Sequence, residues 1–354
     1  MQLNQEIEKY LSEYRSECFP DGVLTSVLDF NISITSKGIY VLAFTLPFPC
    51  QGELEDIARQ LMVKFDINIE LALSLDINPV RRHNIKGIKN IIAIASGKGG
   101  VGKSTTAVNL AYALISEGAK VGILDADIYG PSIPTMLGLQ DQRPSSADGK
   151  TMQPLQAHGL TAMSIGFLVS DSEATVWRGP MASTAFSQLL NETAWPDLDY
   201  LIIDMPPGTG DIQLTLSQKV PVAAATVITT PQDIALADAV KGISMFDKVQ
   251  VPVLGIIENM SYHICENCDH HSYLFGEGGA ARISDKYKVD LLGQLPLNIQ
   301  IREDADNGKS TVIVNTTGEL AQLYRKIARN MAAELYYQLD ANSPYTTKIT
   351  ITEE

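Results

Sequence analysis

Apolar residues recur along this chain with two periods, and the change between them divides it. Over residues 1–78, helical spacing and strict alternation take turns. Leu3–Tyr14 and Gly52–Phe65 carry apolar residues at helical spacing and predict two helices. Leu28, Phe30, Ile32 and Ile34 alternate with polar residues, the pattern of a half-buried strand. Ile39–Leu46 and Ile67–Leu75 predict two further strands, with a turn at Ser36-Lys37-Gly38 and a loop at Pro47–Cys50. These elements predict a small α+β domain. Asn78-Pro79 and the polar Arg81-Arg82-His83-Asn84 predict a linker, residues 79–89.

From residue 90 the alternation gives way to short, continuously apolar runs separated by helical segments. Asn90–Ser96, Val121–Leu124, Leu201–Ile203, Ala223–Thr229, Val253–Glu258 and Leu291–Leu295 read as strands buried on both faces. Such runs, alternating with helices, predict an α/β fold with a mainly parallel sheet sandwiched by helices. In such sheets ligands sit at the carboxyl ends of the strands. A last helix is expected from Thr316, with Glu319 completing a capping box. Leu320, Leu323, Ile327, Met331 and Leu335 form its buried stripe. This second domain should span residues 90–340, and a loose polar tail, 341–354, should follow.

Composition narrows the function. The 354 residues are enough for two domains, and 45% are hydrophobic and 19% charged, an ordinary globular balance. The net charge of −14 argues against nucleic acid and anionic membrane as partners. Four cysteines, Cys18, Cys50, Cys265 and Cys268, are too few for a disulfide framework. The first residues lack a basic and an apolar signal region, and no apolar stretch is long enough to span a bilayer. A cytoplasmic protein is expected.

The strongest chemical signal is Gly97-Lys98-Gly99-Gly100-Val101-Gly102-Lys103-Ser104-Thr105, between the strand Asn90–Ser96 and a helix expected over Ser104–Glu117. It meets the phosphate-loop spacing G-x-x-x-x-G-K-S/T. Glycines let the backbone approach phosphate oxygens, and the helix start aims N–H groups at the same point. Lys103 can reach the β- and γ-phosphates of ATP, and the Ser104 hydroxyl can ligate Mg²⁺. Two acidic motifs follow predicted strands: Asp125-Ala126-Asp127 and Asp204 in LIIDMPPGTGD. Asp125 and Asp204 can hold the Mg²⁺ shell through water, Asp127 can orient an attacking water, and Gly208 can offer its N–H to the γ-phosphate. Any one of these aspartates alone reads as a turn or cap residue; their order carries the assignment. Asn259, at a strand end in IIENMS, is a candidate adenine contact, with a plain turn asparagine as the competing reading.

A second constellation is Cys265-Glu266-Asn267-Cys268, in a loop after Val253–Glu258 and followed by Asp269-His270-His271. C-x-x-C points to a metal, a cluster or redox chemistry, and a thioredoxin-like context is missing. Two thiolates are half of the four that tetrahedral Zn²⁺ or a 4Fe-4S cluster takes. Three completions stand open. His270 or His271 joins in one chain to make a zinc site, a second subunit supplies two more cysteines, or the thiols stay unligated.

GKGGVGKST resembles the loop of the deviant phosphate-loop ATPases. That resemblance implies that Lys98 reaches the nucleotide of a partner subunit, hence a homodimer. With LDADIYGPSIP, WRGPM, DYLIIDMPPGTGD, NMSYHICENC and FGEGG, residues 90–340 resemble the Mrp/ApbC family of iron–sulfur cluster carriers. The resemblance implies a P-loop NTPase fold and slow ATP hydrolysis. It further implies a 4Fe-4S cluster held weakly between subunits by Cys265 and Cys268, and exchange with cluster scaffold proteins and iron–sulfur apoproteins. Related ParA/MinD-like partitioning and division-site ATPases share the nucleotide motifs but lack C-x-x-C. A membrane- or DNA-bound spatial organiser of that kind is the rival reading, opposed by the net charge and by the lack of a basic amphipathic helix in the tail. Residues 1–78 resemble the MIP18-type domain. Cys50 falls near that domain's cysteine, although its usual acidic segment is not recognisable; a small buried loop cysteine is the alternative.

Overall fold

The computed structural model describes residues 2–168 and 179–342. The N-terminal part holds three strands, β1 (Asp29–Ile34), β2 (Tyr40–Leu46) and β3 (Ile69–Leu75), in spatial order β1-β2-β3. β1 and β2 pair as an antiparallel hairpin, whereas β2 and β3 run parallel across the helix Gln51–Phe65. That helix buries Leu54, Ile57, Ala58 and Leu61, and a left-handed residue, Asp66, ends it. The helix Gln2–Glu13 adds Ile7 and Leu11 to the same core.

The second sheet contains β4 (Ile88–Ser96), β5 (Val121–Asp125), β6 (Leu155–Ala157), β7 (Leu160–Ser164), β8 (Leu198–Asp204), β9 (Ala224–Thr229) and β10 (Val253–Glu258). A separate antiparallel hairpin, β11 (His263–Ile264) and β12 (His271–Ser272), precedes its last strand, β13 (Leu291–Gln294). The spatial order is β13-β10-β9-β4-β8-β5-β7-β6. Only the β6–β7 pair is antiparallel. Every residue of β5, β8 and β9 is buried, as expected for strands covered on both faces. The sheet order puts the carboxyl ends of β4, β8 and β5 side by side, the end of such a sheet where ligands are expected.

One expectation changes. The last helix runs Glu319–Asn342, so Glu319 is its first residue rather than the third, and the capping box at Thr316 does not form. Residues 315–317 make a turn instead, closed by the Gly318 N–H on the Asn315 carbonyl, and the Gly318 carbonyl takes the first helical bond, from Gln322. The cysteines lie, as expected, in a loop after Val253–Glu258, and that loop joins the two strands of the hairpin. The tail from Ser343, and Trp177-Arg178 of the WRGPM motif, lie outside the described residues.

The small sheet and the large one share a continuous apolar core. Phe48 packs on Tyr336 and Tyr337 of the last helix, with ring centroids 5.5 and 6.0 Å apart. Beside this contact a fully buried carboxylate, Glu117, stands just past the helix Lys103–Ser116. It accepts from the Gly52 N–H (2.7 Å), Arg325 Nε (2.7 Å) and an Arg329 guanidinium nitrogen (2.9 Å). Three separate stretches of chain are thereby fastened at one point. Among the described residues no helix is long and apolar enough to cross a membrane.

Candidate functional site

β4 delivers the chain to Ser96 in the buried centre of the sheet, and six residues separate it from the start of the helix Lys103–Ser116. The turn between them depends on two glycines. At Gly97 a Cβ would overlap the backbone of Asp238 on the neighbouring helix Asp233–Lys248. Gly102 is left-handed (φ 79°), and a Cβ there would strike the Asn259 amide. Asn259 holds this side of the loop, because its Nδ2 donates to the Val101 carbonyl (2.8 Å). Gly99 and Gly100 face solvent, and Thr105 lies in the first turn of the helix, its carbonyl taking a bond from Asn109 Nδ2 (2.9 Å). Lys98 is half-buried, and its carbonyl accepts from Ser96 Oγ (2.9 Å).

Lys103 is buried, with its ammonium paired to Asp204 Oδ1 and 3.3 Å from Ser104 Oγ. Asp204 ends β8, and its second oxygen, Oδ2, is buried without a hydrogen-bond partner. Asp125 ends β5 in direct register with Asp204. One Asp125 oxygen accepts from the Asp127 N–H (3.0 Å); the other accepts from Ser164 Oγ (3.0 Å) and the Ile133 N–H (3.3 Å). Burial first, and the Asp204 charge next, push the Asp125 carboxyl above the usual carboxylate range. Burial also raises Asp127, while nearby Lys103 opposes it. Gly208 is left-handed (φ 100°) and donates its N–H to the Ser96 carbonyl (3.0 Å). The fold thus gathers the loop Gly97–Thr105, Asp125, Asp127, Asp204, Gly208 and Asn259 around one end of the sheet.

The cysteines stand apart from this centre. β11 and β12 close on a turn in which the Cys265 N–H donates to the His270 carbonyl (3.0 Å) and the Asp269 N–H to the Cys265 carbonyl (2.9 Å). Asp269 takes the left-handed conformation the turn requires (φ 54°). Cys268 is exposed and Cys265 half-buried. The Asn267 N–H, then the Cys268 thiol and N–H, point at Cys265 and hold its thiol below the ordinary value. The His271 ring stacks on Tyr262 with centroids 5.2 Å apart. Among the described residues no three His, Cys, Asp or Glu side chains converge to hold a metal ion. Cys18 and Cys50 are buried in the N-terminal part, and burial pushes both thiols up, Cys18 to about 12.

The family model for the NUBPL iron-transfer P-loop NTPases matches residues 87–332. The chain belongs to that family. It is 62% identical over 274 residues to an iron-sulfur cluster carrier protein of Salmonella typhimurium, covering 76% of this chain and 74% of the relative. It is 59% identical over 302 residues to the protein of that name from Escherichia coli, covering 83% and 82%. Against the iron-sulfur cluster transfer protein NUBPL of Dictyostelium discoideum it is 46% identical over 252 residues, covering 71% and 78%. A solved nucleotide-binding protein from Archaeoglobus fulgidus, in complex with ADP, superposes with a TM-score of 0.57 at 39% identity, covering 63% of this chain and 88% of that one. The Pyrococcus furiosus cell division ATPase MinD shares the fold, with a TM-score of 0.51 at 23% identity over 68% of this chain and 98% of its own. The expected P-loop NTPase fold, with a mostly parallel sheet behind a small sheet-rich N-terminal part, is therefore observed.

Two site residues escape sequence reading. Ser164 supports Asp125 from β7, a strand whose LTAMS run is too mixed to read as one. Asp238 dictates Gly97 from a helix that no local motif connects to the loop.

Proposed function

We propose that this protein carries a 4Fe-4S cluster between two copies of the chain and delivers it to iron–sulfur apoproteins under control of ATP. Cys265 and Cys268 of each copy ligate the cargo. The observation that carries this reading is the hairpin itself: two accessible thiols, one already biased toward thiolate, with no third ligand converging among the described residues. Two copies supply the four thiolates that such a cluster takes. The relatives named for cluster carriage support the same reading.

The nucleotide end of the sheet fits Mg²⁺ and ATP. Asp204 Oδ2 is a buried acceptor in want of a donor or cation, and the loop is shaped by glycines where a side chain would collide. In this reading Lys103 leaves Asp204 for the β- and γ-phosphates, and Ser104 ligates Mg²⁺, whose water shell Asp125 and Asp204 hold. Asp127 orients the attacking water, and Gly208 turns its N–H from Ser96 to the γ-phosphate. Lys98 serves the partner's nucleotide. Asn259 braces the loop through Val101 and keeps one amide hydrogen for the adenine. A shared site between copies makes the cargo labile, which suits delivery and a slow hydrolytic cycle.

Anaerobic reconstitution followed by gel filtration and iron analysis tests the reading. About four irons per dimer are expected, and none in Cys265→Ala or Cys268→Ala. A full cluster in the double cysteine variant, or on a monomer, refutes it.

A further inference from the structure

Glu258 ends β10 with its side chain fully buried, and its carboxylate is held by three neutral donors. Ser261 Oγ (2.5 Å) and Gln294 Nε2 (2.8 Å) donate to Oε1, and the Ala280 N–H (2.7 Å) donates to Oε2. Ala280 lies in the first turn of the helix Gly279–Tyr287, so the carboxylate also faces that helix's positive end. Burying a charge is costly, and three directed bonds make its position well defined. The bonds fasten Glu258 to the turn just after it, to the helix Gly279–Tyr287 and to the end of β13. Its carbonyl adds a second bond to that last segment, from the Leu295 N–H (2.9 Å).

The residues that follow are zipped to the same neighbours. The Ser261 N–H donates to the Leu295 carbonyl (2.9 Å) and the Leu297 N–H to the Tyr262 carbonyl (2.7 Å). His263 and Ile264 then form the strand that carries Cys265. The first residue after Glu258, Asn259, grips the nucleotide loop at Val101 and anchors its own N–H on the Thr229 carbonyl (2.8 Å). Six residues, Asn259 to Ile264, thus connect the loop that would cradle phosphate to the first cysteine. Movement of the loop reaches the hairpin only if this short segment turns about a fixed base.

We propose that Glu258 is that base: a positioning residue that makes the cysteine hairpin respond to nucleotide. The inference rests on the reading of Gly97–Thr105 as a nucleotide loop and of Cys265 and Cys268 as cargo ligands. Its test does not require the cargo. Hydrogen–deuterium exchange of the full chain, with and without Mg²⁺-ADP, reports both ends at once. In the unaltered protein ADP should slow exchange in peptides covering 97–105 and in peptides covering 263–272. Glu258→Gln keeps the bulk but must turn its amide nitrogen, a donor, either toward the Ala280 N–H or toward the Ser261 and Gln294 donors. It should keep the first response and lose the second, with hairpin exchange faster by roughly fivefold, the effect of one net hydrogen bond.

A wild-type ADP response at the hairpin of Glu258→Gln overturns the proposal, as does a hairpin that ignores ADP in the unaltered protein. If Glu258→Gln fails to fold, seen as loss of ADP protection at 97–105, Ser261→Ala decides. A weakened hairpin response supports the role, and a full one overturns it. Failure of iron binding in reconstitution would strike the carrier reading alone and leave these exchange results standing.

Discussion

Lys103 and Asp204 face each other as a buried ion pair at the start of the phosphate-loop helix and the end of β8. A pair this deep carries a large desolvation cost, and its Coulomb attraction only partly offsets it. A nucleotide phosphate would compete with Asp204 for the ammonium and expose the carboxylate to a cation. Lys103→Ala is therefore expected to lower ATP turnover by roughly a hundredfold or more, the usual effect of removing one preorganised charge partner. Ser104→Ala should weaken Mg²⁺-dependent nucleotide binding. Steady-state phosphate release by the purified variants measures the first, and near-normal turnover in Lys103→Ala would refute the site.

Lys98 behaves differently. Its carbonyl is tied to Ser96, it is half-buried, and the two residues that follow, Gly99 and Gly100, are exposed. In the proposed dimer it serves the nucleotide of the second copy. Lys98→Ala should keep nucleotide affinity and lose hydrolysis. Mixed with an inactive Asp127→Ala variant, it should regain part of the activity, because one site of a mixed dimer then lacks both residues and the other is complete. Proven subunit exchange without any recovered activity would rule out the cross-subunit role.

Much of this was legible in the sequence for a physical reason. A phosphate loop is local: nine consecutive residues between a strand and a helix declare it, and buried strands announce themselves as apolar runs. Relationships that cross the sheet are not local. Asp125 and Asp204 are 79 residues apart, and only the strand order brings them into register. Ser164 supports Asp125 from a short strand with no clear period. Thr316 and Glu319 have the spacing of a capping box, yet Gly318 lets the turn at Asn315 win and the helix starts later. Glu117 reads as an ordinary helix-end acid until the arginines of a helix some 200 residues on are seen beside it.

The four thiols should separate into two classes. Cys265 and Cys268 are accessible, and the N–H donors aimed at Cys265 enlarge its thiolate fraction at any pH below its ordinary value. Cys18 and Cys50 are buried, with thiols pushed up, so they remain protonated at pH 8. Ellman titration of the cluster-free protein at pH 8 should find two fast thiols per chain, and all four after unfolding. Because folding raises the buried thiols, they favour the folded state below the ordinary thiol range and lose that effect as pH climbs through their folded values. Fast labelling of Cys50 in the folded protein would contradict its burial and reopen a ligand role for it.

Glu117 gives the sharpest stability prediction. Its carboxylate is the shared acceptor for Gly52, Arg325 and Arg329, and the two arginine side chains are only 12% and 7% exposed. Removing it takes the carboxylate from Arg325, leaves Arg329 only the more distant Glu53 (3.7 Å), and orphans the Gly52 N–H in the first turn of the helix Gln51–Phe65. Breaking one side of such a buried network costs about 3–5 kcal/mol, far more than an exposed pair. Glu117→Ala should lower the urea midpoint accordingly, while Glu117→Gln, which keeps one acceptor, should lose less. The nucleotide loop sits at the opposite end of the same helix, so ADP affinity of the folded fraction should hardly change. A Glu117→Ala protein as stable as the parent would mean that the remaining contacts, such as Phe48 on Tyr336 and Tyr337 and the Tyr337 hydroxyl on the Cys18 carbonyl, suffice to fasten the N-terminal part to the last helix.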